Sequence, residues 1–244
     1  MFRLGFPPHL FGLADHPEVW QSVLAELQDW LHPFVGDVDV TLSSSYEVAG
    51  RNLRSGALDA AWVPPLVGAQ AQEEGAHVVA RVVRDGQAEV RGALVVHESS
   101  LARAQADASF FDDGGVFGDA ASLTGFVLPM AHLAKQGVVV DVDEDAFVGL
   151  QEALHRVERR RARFTGMFAV GEVGDGVEGF ASLRVCAVTE GAPADAIVLG
   201  KESLGLRSQV EAALQVVPEG LAVLGMEGLA PATDAEHGRL LGLV

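Results

Sequence analysis

Residues Phe117–Leu133 read FGDAASLTGFVLPMAHL, and this stretch decides how the chain is read. Val116 and Phe117 look like the apolar end of a strand, and a small-residue turn follows. Ser122 and Thr124 sit where a helix should begin, just ahead of an apolar-periodic run, which is the position of an N-cap. Gly125 leaves the turn open. A strand, turn and helix start of this kind directs backbone N–H groups, two hydroxyls and the positive end of a helix dipole at one spot. That spot suits phosphate, phosphonate, sulfonate or carboxylate. A plain helix cap would use the same residue types, so both readings stand on this motif alone.

The 244 residues suffice for one large domain or two lobes, with 49% apolar residues to build cores. No apolar run approaches the roughly 20 residues of a membrane span, so no membrane insertion is expected. The first residues, MFRLGFPPHLFGLADHPEVW, lack a basic segment followed by an uninterrupted apolar one. The expected location is therefore cytoplasmic, or periplasmic if a leader has been removed. The single cysteine, Cys186, lies in an apolar strand and reads as a buried thiol. A formal charge of −17 argues against nucleic acid as a general partner. The eight histidines are scattered without ligand spacing, so no metal site is expected, and no motif calls for a cofactor. No nucleophile elbow, Walker loop or dinucleotide fingerprint is present, and no catalytic residues are assigned.

In chain order, Phe2–Phe6 reads as a strand closed by Pro7–Pro8, and His16–Leu31 has helical spacing. Val38–Leu42 alternates as a strand, and a helix runs from Tyr46 to Ser55 with Gly56 as its stop. Leu58–Val63 is a buried-type strand broken by Pro64–Pro65; a helix to Glu74 and a strand over Val78–Arg84 follow. Strands alternating with helices imply βαβ units and a mainly parallel sheet. Glu89–Glu98 reads as one long strand, Leu101–Asp113 as poorly patterned, and Asp143–Arg161 as a further helix. Phe164–Val170 and Ser182–Val188 read as strands around a Gly-rich turn at Gly171–Gly179. Ala196–Leu199 is a short strand, Glu202–Val216 a helix, and the tail is Gly-rich. Two long strands thus bracket a middle block, as an inserted lobe requires. The expected division is residues 1–95 with 189–244 as lobe 1, and 96–188 as lobe 2.

YEVAGRNLRSGALDAAWVPPL from Tyr46, RGALVVHESSL, and FGDAASLTGFVLPMAHLAKQG together resemble the PhnD-like, phosphate/phosphonate-binding branch of the type II periplasmic binding proteins. The shared features are the tyrosine opening the second helix and a strand entry with Ser55, Gly56 and Asp59. Pro64–Pro65 then break the strand, and the anion turn Ser122–Leu123–Thr124–Gly125 is followed by Pro129. LRVCAVTEGAPADAIVLGKESL resembles the family's return strand and final helix. The resemblance implies an α/β fold with two lobes, two hinge strands and a ligand cleft between them. It assigns Ser122, the Leu123 amide, Thr124 and Gly125 to the anionic head group. Tyr46 offers a hydroxyl or ring, and Pro7–Pro8 and Trp62–Pro64 line the cleft wall. Trp62 has a core reading beside this ligand-stacking one.

The chain also departs from the family pattern. Leu123 replaces a hydroxyl residue of the turn, and Asp143, Glu144 and Asp145 stand where a Gly/Ser-His pair is usual. Arg163 stands where an acid usually meets the ligand's ammonium group, which favours a purely anionic ligand that Arg163 could bind. The run Arg156–Arg163 reads as a solvated helix face or as a docking surface for a protein partner. Small-oxyanion binding, as a sensor or a transport-related protein and not as an enzyme, is the leading function. The alternatives are a degenerate fold acting as an interaction module, and an enzyme like those of this fold in menaquinone synthesis.

Overall fold

The computed structural model describes residues 1–7, 16–84, 86–169, 171–232 and 237–243. The chain forms two compact units: Met1–Glu89 with Pro193–Gly242 (unit 1), and Val90–Ala192 (unit 2). Pro8, one of the residues expected to line a cleft wall, lies outside the described residues.

Unit 1 opens with β1 (Phe2–Phe6), α1 (Pro17–Val35), β2 (Val38–Leu42) and α2 (Tyr46–Arg54), then β3 (Ala60–Val63), α3 (Pro65–Glu73) and β4 (His77–Val83). The return segment adds β11 (Ala196–Leu199), α7 (Arg207–Ala213) and β12 (Gly228–Pro231). The sheet order is β12-β4-β11-β3-β1-β2. β1 pairs in parallel with β2 and β3, whereas β11 runs antiparallel between β3 and β4, and β12 antiparallel to β4. The sheet is therefore mixed. The returning chain enters it from the opposite direction, which βαβ periodicity in the first segment does not encode.

Both faces of this sheet are covered, which is why β3 reads as an unbroken apolar run. Successive side chains point to opposite faces. Ala60 and Trp62 join Phe6, Leu27, Ile197 and Leu199 in one cluster, while Ala61 and Val63 join Leu53, Val67 and Val198 in another. α1 buries Val23, Leu27 and Leu31, spaced four apart on one stripe.

The entry to β3 is clamped by Asp59. Its carboxylate accepts hydrogen bonds from the Arg3 amide (2.8 Å), the Arg3 guanidinium (2.9 Å at each oxygen) and the Ser203 hydroxyl (2.7 Å). Burial is the largest single influence on this carboxyl and pushes its pKa up. The hydrogen bonds from Arg3 and Ser203 together outweigh it, so Asp59 titrates below the usual carboxylate range. The aspartate of the sequence motif thus ties the first strand to the returning segment.

Unit 2 holds β6 (Gly92–His97), α4 (Leu101–Ala106), a π-type turn over Leu123–Val127 that continues into α5 (Leu128–Lys135), and α6 (Leu150–Glu158). Its other strands are β7 (Phe164–Phe168), β8 (Gly176–Val177) and β9 (Phe180–Val188). The strand order is β7-β6-β9-β8, and every pairing is antiparallel. The short strands β5 (Glu89–Val90) and β10 (Ala192–Pro193) form a separate two-stranded sheet. The expected single strand over Glu89–Glu98 is interrupted at Arg91.

Several other expectations are corrected. The helix expected over Asp143–Arg161 is divided: a 3-10 turn at Glu144–Ala146 is separated from α6 by Gly149, whose φ of 84° is a left-handed value. The intervening residues run alongside Phe117, with Val148 donating to the Phe117 carbonyl at 2.9 Å. Leu101–Asp113 is ordered as α4 and a 3-10 turn, because Phe110 and Phe111 bury against Phe164 and Phe117. The Gly-rich tail supplies edge strand β12. The helix expected over Glu202–Val216 begins as a 3-10 segment, Lys201–Leu206, and its α-helical part ends at Ala213.

Candidate functional site

The Ser122–Gly125 turn is built from local chemistry. Ser122 has extended backbone, and its Oγ accepts the Gly125 amide at 3.1 Å, a true N-cap bond. The Ser122 carbonyl accepts from both Phe126 (3.0 Å) and Val127 (3.1 Å), which opens the first turn to π geometry. Single π turns of this kind are frequent at functional sites. Asp119 serves the preceding amides: its carboxylate takes Ala121 N–H at 2.7 Å and its carbonyl takes Ser122 N–H at 3.1 Å. The Leu123 and Thr124 amides are left without an acceptor among the described residues. First-turn amides are orphaned in any helix. Here they lie beside the Ser122 hydroxyl, which as an acceptor still has its own proton to donate, and beside the Thr124 hydroxyl.

Tertiary packing fixes this turn on the sheet. Pro129 lacks the N–H that would otherwise cap the turn's carbonyls. Those carbonyls instead approach the strands where a side chain is missing. A Cβ added to Gly166 on β7 would lie 2.3 Å from the Gly125 oxygen, and one on Gly92, the first residue of β6, 2.7 Å from the Thr124 oxygen. Either Cβ would also meet the Pro129 ring at 2.9 Å. Phe126 anchors the turn from inside, edge-on to Phe117 and Phe147 with centroids 5.0 Å apart in each case. Sequence reasoning missed Gly92 and Gly166. The signal was available: a glycine inside a strand marks close backbone approach.

The other residues singled out belong to other elements. Arg163 precedes β7, three residues from Gly166, which is about 10 Å of extended chain. Its guanidinium pairs with Asp113. Trp62 is fully buried in unit 1, with its indole N–H on Asp195 at 3.0 Å, the Phe6 ring edge-on at 5.9 Å and the Arg84 guanidinium 5.2 Å from its centroid. Its place is the core. Tyr46 opens α2 in unit 1, half-buried, behind the Ser45 cap that accepts Val48 N–H at 3.2 Å. Leu123 is buried, so its contribution to a ligand is confined to its backbone. Asp143 caps the 3-10 turn at Glu144–Ala146, accepting Ala146 N–H at 3.1 Å. Among the described residues, no cluster of three His, Cys, Asp or Glu is placed to hold a metal, and no helix is long and apolar enough to cross a membrane.

The fold has close counterparts among solved structures. XAC2383 from Xanthomonas citri, bound to chloride ion, superimposes with a TM-score of 0.78 at 17% identity, covering 99% of this chain and 95% of that one. The same protein bound to ATP gives 0.77, with 17% identity, 99% and 94% coverage. PhnD1 from Prochlorococcus marinus, in complex with methylphosphonate, gives 0.71 at 14% identity, with 99% and 96% coverage. These structures share the type II binding-protein fold. No curated protein matches the sequence significantly. Residues 14–237 match the family described as phosphonate periplasmic substrate-binding proteins of ABC transporters, a family of binding proteins and not of enzymes. That description is periplasmic, so the cytoplasmic location expected from the N-terminal residues gains no support from it. With nearly the whole chain inside that match, this protein belongs to the family of periplasmic substrate-binding proteins of phosphonate ABC transporters.

Proposed function

We propose that the protein is a transport-related binding protein for a small oxyanion of the phosphonate or phosphate type, held by the Ser122–Gly125 turn. The observation that carries this reading is the set of donors at the turn. The Leu123 and Thr124 amides have no acceptor among the described residues, the two hydroxyls are adjacent, and the backbone beneath them is pinned through Gly92 and Gly166. Prepositioned N–H and O–H donors at a helix start bind a tetrahedral oxyanion without rearrangement. Tyr46 and Arg163 belong to the proposal through the family resemblance. Arg163 would have to exchange its Asp113 partner for the ligand. Trp62 acts as a core residue in this reading.

The test is a thermal-shift series with methylphosphonate, inorganic phosphate, an aminophosphonate, a sulfonate and a small carboxylate. A ligand at about 100 times its Kd stabilises by about 2.7 kcal/mol. At about 2–4 °C per kcal/mol for a chain of this size, that is a rise of about 5–11 °C. The expected result is a shift with methylphosphonate or phosphate that disappears in Ser122→Ala/Thr124→Ala. A panel without any shift, or a shift that survives both substitutions, would overturn the proposal.

A further inference from the structure

The end of α6 carries Arg156, Arg159, Arg160, Arg161 and Arg163 in a chain of formal charge −17. Some of that positive charge is neutralised locally. Arg156 pairs with Glu152 at 2.8 Å, and Arg163 pairs with Asp113. Arg160 and Arg161 form no ion pair among the described residues.

The backbone at these two residues is unusual. Arg161 N–H bonds back to the Arg156 carbonyl at 2.7 Å and Arg160 N–H to the Val157 carbonyl at 3.0 Å, the double closure of a Schellman motif. That motif requires a left-handed residue at position 160, and φ of Arg160 is 57°. Glycine is the usual occupant, because a Cβ is strained there. Arg160 is the one non-glycine residue with positive φ among the described residues. A helix stop alone would be better served by glycine, so the arginine side chain calls for a reason other than the turn.

Arg160 and Arg161 both line a surface cleft of unit 2, about 360 Å³ in volume, shared with His97, Ser99, Ser100 and Arg163. The Ser99 amide donates to His97 Nδ1 at 3.2 Å, and the Ser99 hydroxyl lies 2.9 Å from the same nitrogen. In the neutral ring the proton therefore resides on Nε2, leaving an N–H donor. The Ser100 hydroxyl adds another. Two neighbouring carboxylates are committed: Asp113 to Arg163, and Glu98 to Arg184 at 2.9 Å. The cleft lining is thus dominated by donors and positive charge. Its volume corresponds to about a dozen waters, more than a single phosphate fills. Two adjacent arginines offer planar forks suited to successive phosphate groups.

We propose that this cleft is a second anion site, separate from the Ser122 turn, that binds a chain of linked phosphates through Arg160 and Arg161. Ser100 and the His97 Nε2–H act as neutral donors. The ligand chemistry is that of inorganic triphosphate or the phosphate tail of a nucleotide.

The test is titration calorimetry with inorganic tripolyphosphate, ATP, methylphosphonate and a short polyglutamate peptide, on the full chain and two variants. Arg160→Gly/Arg161→Gln removes both guanidinium groups while relieving the left-handed strain, so it should fold at least as well as the parent. Tripolyphosphate affinity should fall at least tenfold in this variant and stay within twofold in Ser122→Ala/Thr124→Ala. ATP and tripolyphosphate binding equally well would identify the phosphate chain as the recognised group. Absence of tripolyphosphate binding at millimolar concentration would overturn the proposal. So would binding indifferent to the arginine pair, binding of ATP without tripolyphosphate, or tighter binding of polyglutamate, which would make the cleft a docking surface for acidic protein.

Discussion

Gly166→Ala tests whether the Ser122–Gly125 turn, the proposed oxyanion site, owes its shape to the sheet beneath it. The added methyl carbon would stand 2.3 Å from the Gly125 oxygen and 2.9 Å from both the Gly125 carbonyl carbon and the Pro129 ring. A carbon normally comes no closer than about 3.3 Å to a carbonyl oxygen, so the turn must move by about 1 Å. The obstacle is backbone and a proline ring, neither of which can swing aside as a flexible side chain would. Overpacking of this type costs about 1–3 kcal/mol, and the rigid surroundings place this case in the upper half of that range. The melting temperature should then fall by about 4–12 °C. The Leu123 and Thr124 amides move with the carbonyls, so methylphosphonate affinity should drop at least tenfold. The control is Gly205→Ala, in an exposed 3-10 segment, where an added Cβ meets nothing within 4 Å. Differential scanning calorimetry and calorimetric titration on the three proteins decide the matter. If Gly166→Ala melts within about 1 °C of the parent and binds normally, the tight seating of the turn is wrong.

Other expectations follow from the same structure. Ser122→Ala alone removes a helix cap and should cost about 1 kcal/mol, measurable by urea denaturation, in addition to any loss of ligand response. Asp59 has a lowered folded-state pKa, so its stabilising contribution is present above the unfolded value near pH 4 and is lost as the pH falls through the folded value. Asp59→Asn should therefore lower the melting temperature at pH 7 and flatten its dependence on pH below about 4; an unchanged acid slope would refute the clamp. Trp62→Ala empties a fully buried site and should cost about 3–5 kcal/mol or abolish folding, whereas a side chain serving only a ligand would cost little stability. Burial pushes the Cys186 thiol up to about 12. It should resist a thiol reagent at pH 8 in the folded protein and react on denaturation, and rapid reaction in the native state would contradict its buried position.

Much of unit 1 could be read from residue order because its signals are local. Helical spacing marks α1, Ser45 announces α2, the proline pairs end strands, and Gly56 and Gly75 adopt the left-handed φ of helix stops, 72° and 97°. The Ser122 turn was legible for the same reason, since a cap and the residues it serves are a few positions apart. The division of the helix before α6 was hidden, because Phe147 and Val148 are held alongside Phe117, a partner about 30 residues away in sequence. The antiparallel entry of β11, the edge strand β12 and the ordering of Phe110 and Phe111 likewise depend on long-range pairing that periodicity cannot register. Among the singled-out residues, sequence supplied side-chain types and tertiary structure decided their setting. Arg163 lies beside Asp113 and Trp62 lies in the core, because partners distant in sequence were there to receive them. What the sequence by itself determined was the α/β class, the family and the hydroxyl-capped turn at Ser122–Gly125, all carried by short-range chemistry. What only the tertiary structure decided was that Gly92 and Gly166 hold the turn in place and that Arg160 and Arg161, without an ion pair among the described residues, line a cleft of their own, since both depend on which segments approach within a few ångströms.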